Sequence, residues 1–533
     1  MTDDIPSPCD LLVIGTGLTE SIVASAASRI GKQVVHVDHR DFYGSNWATF
    51  SFNNLHNVLG VNKGLTECIE ETKKETYSIH IGLNSNTVLN VVEKWFISDE
   101  DVEATIDNQL RIEETNNGIL KQTWTKSEVL KHSRKFNFDL SPKLLYSKGE
   151  MVEVLISSGI CRYAEFKNVS SIYTYDNVES GLLPVPCSRA DIFNSKDITM
   201  IEKRLLMKIL SMCVEYETKP EKFQEDEMGN FGNFLDAHKI QGKVRKYLID
   251  SVAMAKESTN FQDAVKNIQK FVRSIGRYGN TPFLWTLYGS GELPQCFCRC
   301  SAVFGGVYCL KRSTRSIIIG SDGQATGIMC DNQNLKAKFI LIEDSLNPLA
   351  TIKSGISRAI LVTNKALTSN DQAVLINLPS LNGKEPVRIL ELSASTMACP
   401  QGLYVVHLIT RQVTTAIEDL REVIDTFFSA VESNENEALH KPQIIWSLHF
   451  NINEYESYAD MLPLNLYSSP GPNSSMDFDN HVIQARNIFK SMFPDEDFLP
   501  RVPDPEDVIL EGSAEEVVLQ ESLENQEVHN VHE

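Results

Sequence analysis

The chain has 533 residues, 42% hydrophobic and 23% charged, the composition of a folded globular protein large enough for several domains and neither disordered nor fibrous. Fifty Lys+Arg against 71 Asp+Glu leave a formal charge of −21, a field that repels phosphate backbones and argues against nucleic acid as a ligand. The 11 cysteines are scattered without CxxC pairs, as reduced thiols are, and neither a membrane span nor a targeting segment is predicted.

In chain order, the apolar run Leu11 to Ile14 meets the turn Gly15-Thr16-Gly17. A helical stretch to Ile30 and a second apolar run, Val34 to Val37, follow and close on Asp38. The pattern predicts a βαβ start to a parallel sheet. The glycines stand where a dinucleotide-binding GxGxxG would, with Asp38 placed as a ribose acid, but the third glycine is replaced by Glu20. A carboxylate in the first turn of the helix suits the helix dipole and repels a phosphate at the same spot. The expectation is therefore a flavoprotein-like architecture without a cofactor; a working FAD or NAD site is the alternative the residues leave open. His36, in an apolar strand, reads as a core residue.

Ser98 to Asn117 carries seven acids and one Arg and reads as a solvated loop in an acidic insertion, residues 98–130. From Asp197 to about Arg277 the pattern is helical. Ile198, Ile201, Leu205, Ile209 and Met212 recur at three and four residues, and a second candidate helix runs from Val244 to Met254. This stretch is expected to form an all-helical insert, residues 188–276. Cys296, Cys298 and Cys300 alternate, which suggests one face of an extended segment that packs and does not bind zinc. Arg315 to Gly320, Ala325 to Cys330 and Lys336 to Ile342 read as an antiparallel meander. Strand-like runs then continue at Ile360, Ala373, Ile389 and Leu403 to a helix near Ile417 to Phe428. A tail from residue 501 is expected to be disordered; from Asp504 to Glu533 it holds ten acidic residues and no Lys or Arg, about half of the net charge. No hydrolase, zinc or nucleotide-triphosphate motif is present.

Four blocks carry a resemblance. DLLVIGTGLTESIVASAASRIGKQVVHVDHRDFYGSNWATFSF from Asp10 and RYGNTPFLWTLYGSGELPQCFCRCSAVFGGVYCL from Arg277 bracket SPKLLYSKGEMVEVLISSGICRYAEFKN from Ser141 and VPCSRADIFNSKDITMIEKRLLMKILSMC from Val185. Together they resemble the Rab GDI and Rab escort protein superfamily, whose members share the altered glycine motif. Within it, NWATFSF, the acidic insertion, Cys309 and SRADIFNSK resemble the escort proteins, the component A of Rab geranylgeranyltransferase.

The resemblance implies an α/β, FAD-binding-like fold of GDI type with an inserted helical domain. Domain I would comprise residues 1–187 and 277–500, domain II residues 188–276, and residues 501–533 the tail. It implies a cytosolic, non-catalytic chaperone with transient membrane association. Such a protein binds GDP-bound Rab GTPases, presents them to the transferase heterodimer for cysteine prenylation and delivers the geranylgeranylated product to membranes. A Rab GDI that recycles prenylated Rabs, or more remotely an FAD-dependent oxidoreductase, is the competing expectation. Carried over by position, Tyr43, Glu292, Gln295, Arg299, Tyr308 and Cys309 form a Rab-binding platform, and Phe193 and Arg204 contact the transferase. Phe193 is expected in a loop before a helix, and Arg204 beside its apolar stripe. The isoprenoid is expected between Ile201, Leu205 and Ile209 on one helix and Val244, Leu248 and Val252 on another. Gly15, Gly17, Glu20 and Asp38 would be a vestigial dinucleotide motif, with no cofactor and no metal.

Overall fold

Strand Cys9–Ile14, buried at every position but Asp10, pairs in parallel with Val34–Val37 on one side and with the second half of Gln333–Glu343 on the other. β-Branched and leucine residues on both faces suit a strand covered on both sides. Val307–Cys309 extends this sheet at its edge beside Val34–Val37, and Leu466–Ser469 joins Gln333–Glu343 in parallel. The first half of Gln333–Glu343 turns antiparallel and continues through Ala325–Cys330 and Thr314–Ile319 to Tyr77–His80. One eight-stranded sheet therefore holds both the expected βαβ start and the expected meander. The computed structural model describes residues 4–60, 77–81, 87–97, 112–114, 120–122, 124–176, 181–223, 229–368, 372–380, 383–430 and 441–501. Apart from the short pair Ile112–Glu114 with Leu120–Gln122, residues 98–123 of the acidic insertion lie outside these residues, as does the acidic tail beyond residue 501; the loop expected over 98–130 is corrected at its end, where a Thr125–Glu128 capping box starts helix Lys126–Lys131 and Val129 enters the core.

A second sheet of eleven strands is mixed. Its antiparallel centre runs from Gln443–Glu456 through Thr351–Thr363, Tyr404–Arg411 and Val387–Ser393 to Ala373–Leu378. Ala373–Leu378 then pairs in parallel with Phe166–Tyr175, which joins chain from before the helical stretch to chain from after it. The two helices read from the 3.6-residue period appear as Met200–Glu215 and as Gly242–Lys246 continuing as a π-turn over Tyr247–Val252, and two more, Phe231–Ala237 and Phe261–Ser274, lie in the same stretch. They share one apolar core with the second sheet: Ile209, Val244, Leu248, Phe261 and Ile268 pack in the same cluster as Ile172, Leu375, Leu390 and Trp446. No described helix is long and apolar enough to cross a membrane.

The same core holds an aromatic knot that closes the sheet on the helix Phe52–Gly60, which follows the first βαβ unit. The ring of Phe52, fully buried, lies 4.7 Å from Trp446, 5.1 Å from Phe138, and 5.4 Å from both Trp95 and Phe136. Four aromatic neighbours around one ring leave nothing able to collapse into the space it fills. Phe52→Ala is expected to lower unfolding stability by about 3–5 kcal/mol, read from the denaturant midpoint at unchanged slope. A loss below about 1 kcal/mol would mean that the knot repacks.

Candidate functional site

The glycine turn is formed as the fingerprint demands. Gly15 sits at φ +99°, open to glycine without strain, and Gly17 caps the helix Leu18–Arg29. What fills the phosphate position is the chain itself. A β-carbon on Gly17 would run into Glu20 Oε2, so the carboxyl lies directly over the turn. The Ser469 hydroxyl, from the neighbouring parallel strand, donates to Glu20 Oε1. Burial, reinforced by the charge of Glu343, raises Glu20 well above the ordinary carboxylate range, which favours its protonated form.

Asp38, at the ribose position, accepts from the Thr16 hydroxyl at 2.7 Å, and that hydroxyl accepts from the Gly44 amide at 3.1 Å. Arg40 Nη1 donates to Ser45 Oγ at 3.0 Å and approaches Glu343 Oε2 at 3.4 Å and Asp38 Oδ1 at 3.5 Å. His36 turns Nε2 toward the Gly15 carbonyl, and burial pushes it down to about 4, as a core histidine behaves. Pyrophosphate and ribose positions are thus occupied by Glu20 and by a Thr16–Asp38–Arg40 network. A flavin dinucleotide does not fit these residues as they stand.

The second feature begins where the chain enters the helix Glu292–Val303. Gly291 has no room for a side chain, since a β-carbon there would lie 2.5 Å from the Thr49 amide. The Gly291 amide donates to Thr49 Oγ1 at 2.8 Å, and the Thr49 hydroxyl donates to Asp139 Oδ1 at 2.6 Å. The same carboxylate oxygen accepts from the Ser290 amide at 2.7 Å. The three cysteines are therefore on a helix, and the extended segment expected from their alternation is corrected. Two-residue spacing spreads side chains around a helix, and here Leu293, Cys296, Phe297 and Cys300 enter one apolar cluster while Cys298 faces the first helix. Cys298 Sγ lies 3.1 Å from Ser21 Oγ, Cys296 Sγ donates to the Tyr163 carbonyl at 3.4 Å, and Arg29 Nη2 donates to Cys300 Sγ at 3.3 Å. Burial pushes the Cys296 and Cys298 thiols up to about 12, and the described residues hold no cluster with metal-ligand composition.

The opposite face of this helix presents Glu292, Gln295, Arg299 and Ala302. With Tyr43, Tyr163, Gly306 and Tyr308 they line a cavity of about 430 Å³. Five of the six residues expected in the platform thus meet around one concavity. Cys309, half-buried in the edge strand next to Tyr308, adjoins it without lining it. Tyr308 is fixed by ring contacts with His36 at 4.8 Å and Tyr43 at 5.9 Å. The Arg299 guanidinium lies over the ring of Tyr163 at 4.7 Å, a partner that no sequence spacing could reveal because 136 positions separate the two.

Phe193 is not in a loop, as its position before the long helix suggested. Ser188 and Asp191 form a capping box that starts a short helix, Arg189–Asn194, and Phe193 projects from it 71% exposed. A second capping box, Thr199 with Glu202, starts Met200–Glu215, and Lys203 Nζ donates to the Phe193 carbonyl at 2.6 Å. Arg204 is exposed, as are Met200 and Ile201.

Ile201 is thus not on the apolar face: the buried stripe is Leu206, Ile209 and Cys213, rotated from the expected one because position 201 lies in a first turn that projects beyond the core. Leu205 is half-buried. Ile209, Val244, Leu248 and Val252 are at most 3% exposed and belong to the core shared with the second sheet, so a lipid between them would have to displace packed side chains.

Comparison with known proteins gives two family matches: "GDP dissociation inhibitor" over residues 5–81 and "RAE1/2 domain I, C-terminal region" over residues 356–474. Rab proteins geranylgeranyltransferase component A 1 of Rattus norvegicus is 34% identical over 98% of this chain and 96% of its own length. Its Drosophila melanogaster counterpart is 36% identical over 96% of this chain and 94% of its own. A probable secretory pathway GDP dissociation inhibitor 1 of Schizosaccharomyces pombe is 25% identical over 93% of this chain and 99% of its own. Among solved structures, a Rab GDI from Plasmodium falciparum superposes with TM-score 0.66 at 16% identity, covering 92% of this chain and 98% of that one. An oxidoreductase from Methanosarcina mazei does so with 0.52 at 11%, covering 90% and 100%. At these identities the two structures speak to fold alone, and the chain shares that fold with both.

The plug has a pH signature. The unfolded chain ionises Glu20 near 4.5 while the folded chain favours its protonated form, so the stability this group contributes is complete below 4.5 and is lost as pH rises toward the raised folded value. Gln at this position keeps an acceptor for Ser469 and never ionises. Glu20→Gln is therefore expected to gain stability relative to the native protein as pH rises above about 4.5, read as a widening gap in melting temperature. A gap independent of pH would contradict the raised folded value.

Proposed function

Because the chain belongs to the Rab geranylgeranyltransferase component A family, the Rab escort proteins, we propose that it binds GDP-bound Rab GTPases, presents them to the transferase and carries the prenylated product to membranes. It serves the transferase as an accessory component and makes no bond itself. Identity of 34–36% to component A proteins against 25% to a GDP dissociation inhibitor, each over more than nine-tenths of the chain, favours escort over recycling. The observation that carries the reading at the level of residues is the cavity on the cysteine helix, which gathers Tyr43, Glu292, Gln295, Arg299 and Tyr308 from two distant segments. Cys309 completes the platform at the adjoining sheet edge.

The transferase face is the exposed Phe193 with Arg204, ring and guanidinium held outward by two capped helices. An exposed aromatic beside an arginine is the composition of an interface anchor. The isoprenoid is assigned to the helical segment, residues 188–276. Each buried methylene contributes about 0.8 kcal/mol, so a twenty-carbon chain demands an apolar host. The protein works in the cytosol and at membrane surfaces. It carries no flavin, because Glu20 and the Arg40 network stand where the dinucleotide would, and a visible absorption spectrum of the purified protein should be featureless.

The test is reconstituted prenylation of an unprenylated Rab by purified transferase. Product should form only when this protein is added; product at the same rate without it would leave the recycling reading. In that assay a Phe193→Ala, Arg204→Ala double variant should slow prenylation and weaken transferase binding with Rab affinity unchanged. Arg299→Ala should weaken Rab binding by about 1–4 kcal/mol with melting temperature unchanged.

A further inference from the structure

We propose that Lys270 is a positioning residue for Rab prenylation: it sets the angle between the face assigned to the transferase and the face assigned to the GTPase. The proposal rests on the escort reading and adds to it how the two faces are kept in one frame.

The need for such a residue follows from the packing. Phe193 and Arg204 stand on the helical insert, whose side chains share an apolar core with the second sheet. The cysteine helix belongs to a different apolar cluster, together with the first helix, Glu150–Ser157 and Asp479–Met492. Apolar contact is non-directional, so it holds two bodies together without fixing the angle between them. Charge-assisted hydrogen bonds have direction and fix it.

Lys270 lies on the insert's last helix, Phe261–Ser274, and reaches out of the first cluster toward the second. Its Nζ stands 3.2 Å from Asp477 Oδ2, 3.2 Å from Asp479 Oδ2 and 4.6 Å from the centre of the Tyr146 ring. Burial opposes its charge, but the two carboxylates outweigh burial and hold Lys270 above the ordinary lysine value. Among the described residues the other ion pairs of residues 188–276 stay within the insert or run to the second sheet's side, as Lys246–Asp176 and Lys256–Glu385 do. The pair with Asp479 is the one that runs to a helix of the cysteine helix's cluster.

What Lys270 grips is itself fixed. Asp479 opens the helix Asp479–Met492 and is 4% exposed, and its Oδ1 accepts from the Met151 amide at 3.2 Å. Gly149 leaves space for it, since a β-carbon there would lie 2.7 Å from the carboxylate. Asp477 Oδ1 accepts from the Asp479 amide at 3.0 Å. Tyr146, beneath the ammonium, pairs with Phe283 on the strand Phe283–Thr286, which leads into the cysteine helix. A second tie comes from Arg358 on the second sheet. It donates to the carbonyls of Leu140 at 3.0 Å and Asp139 at 3.3 Å, and the Asp139 carboxylate holds the Ser290 amide. With that point fixed, rotation about it is what Lys270 stops.

A reaction between partners held on separate faces depends on their geometry, and a misplacement of about 1 Å can cost about a hundredfold in rate. The experiment is prenylation of a GDP-loaded Rab by purified transferase with geranylgeranyl diphosphate, run with the native full chain, Lys270→Met and Lys270→Arg. Each form is also titrated with Rab alone and with transferase alone, and its melting temperature is measured. Lys270→Met is expected to lower kcat about tenfold with KM and both affinities within about twofold of native, and Lys270→Arg, which keeps the charge, to restore kcat. Native kcat in Lys270→Met would overturn the proposal. So would a loss of either affinity as large as the loss in kcat, since the residue would then serve the integrity of one face and not the angle between two. Prenylation that proceeds equally without the native chain would remove the escort reading itself, a result read before any variant is compared. Should methionine lower the melting temperature, Asp477→Asn loosens the same contact while leaving Asp479 its cation, and is read by the same outcomes.

Discussion

The organising contact of the molecule is the close packing of the first helix, Leu18–Arg29, along the cysteine helix, Glu292–Val303. Every residue of the first helix from Leu18 to Ser28 is buried, and the seam between the two is built from small side chains. Ser21 meets Cys298 at 3.1 Å and Ser28 meets Ser301 at 2.8 Å, while Gly306 leaves space for Ser301 where a β-carbon would clash. Small residues let two helix backbones approach, and the hydroxyl and thiol groups satisfy one another across the gap. At the end of the seam Arg29 reaches the carbonyls of Ser158 and Pro500 at 2.6 and 3.1 Å as well as Cys300. With one side of the cysteine helix committed to this contact, its other side, carrying Glu292, Gln295, Arg299 and Ala302, can only face outward.

The start of the first helix decides what the flavoprotein-like sheet can no longer do. A glycine at position 20 would leave the turn open; a glutamic acid closes it, and burial together with the charge of Glu343 favours its protonated form. That carboxyl connects the helix to strand Leu466–Ser469 through Ser469, and Arg40 balances Glu343 and Asp38 beside it. A close-packed interior tolerates few voids, and here the space over the glycine turn is filled by the chain's own polar side chains, Glu20 bonded to Ser469 and Asp38 to Thr16.

The local elements were legible because period and punctuation determine them: the βαβ start with its glycine turn, the meander with its Ser-Asp-Gly and Asp-Asn-Gln-Asn turns, and the 3.6-residue pattern after Asp197. Three local readings failed for physical reasons. Alternation at Cys296, Cys298 and Cys300 implies a strand only if a sheet is there to receive it, and here a neighbouring helix receives it instead. Ile201 fits the helical period, yet it lies in the first turn of its helix, where the core has already ended. Phe193 was placed in a loop because its six-residue helix is too short to show a period, although Ser188 with Asp191 is a capping box legible in hindsight. The platform's membership came from resemblance; its concavity, and the pairing of Tyr163 with Arg299, needed the tertiary fold, because no local rule relates positions 163, 299 and 43.

Both outward faces share one physical economy. Phe193 and Arg204 stand on helices whose ends are closed by side-chain caps and tied together by Lys203 to the Phe193 carbonyl. Glu292 and Arg299 stand on a helix fixed at its start by Thr49 and Asp139 and along its flank by Ser21, Ser28 and Arg29. Ordering a flexible side chain at an interface costs about 0.5–1.5 kcal/mol, and ordering backbone costs more. On these faces the backbone is ordered already, and the Arg299 guanidinium is additionally held by Tyr163. Little is therefore left to order on these faces, and what they present to solvent is a small set of side chains on backbone that is already fixed.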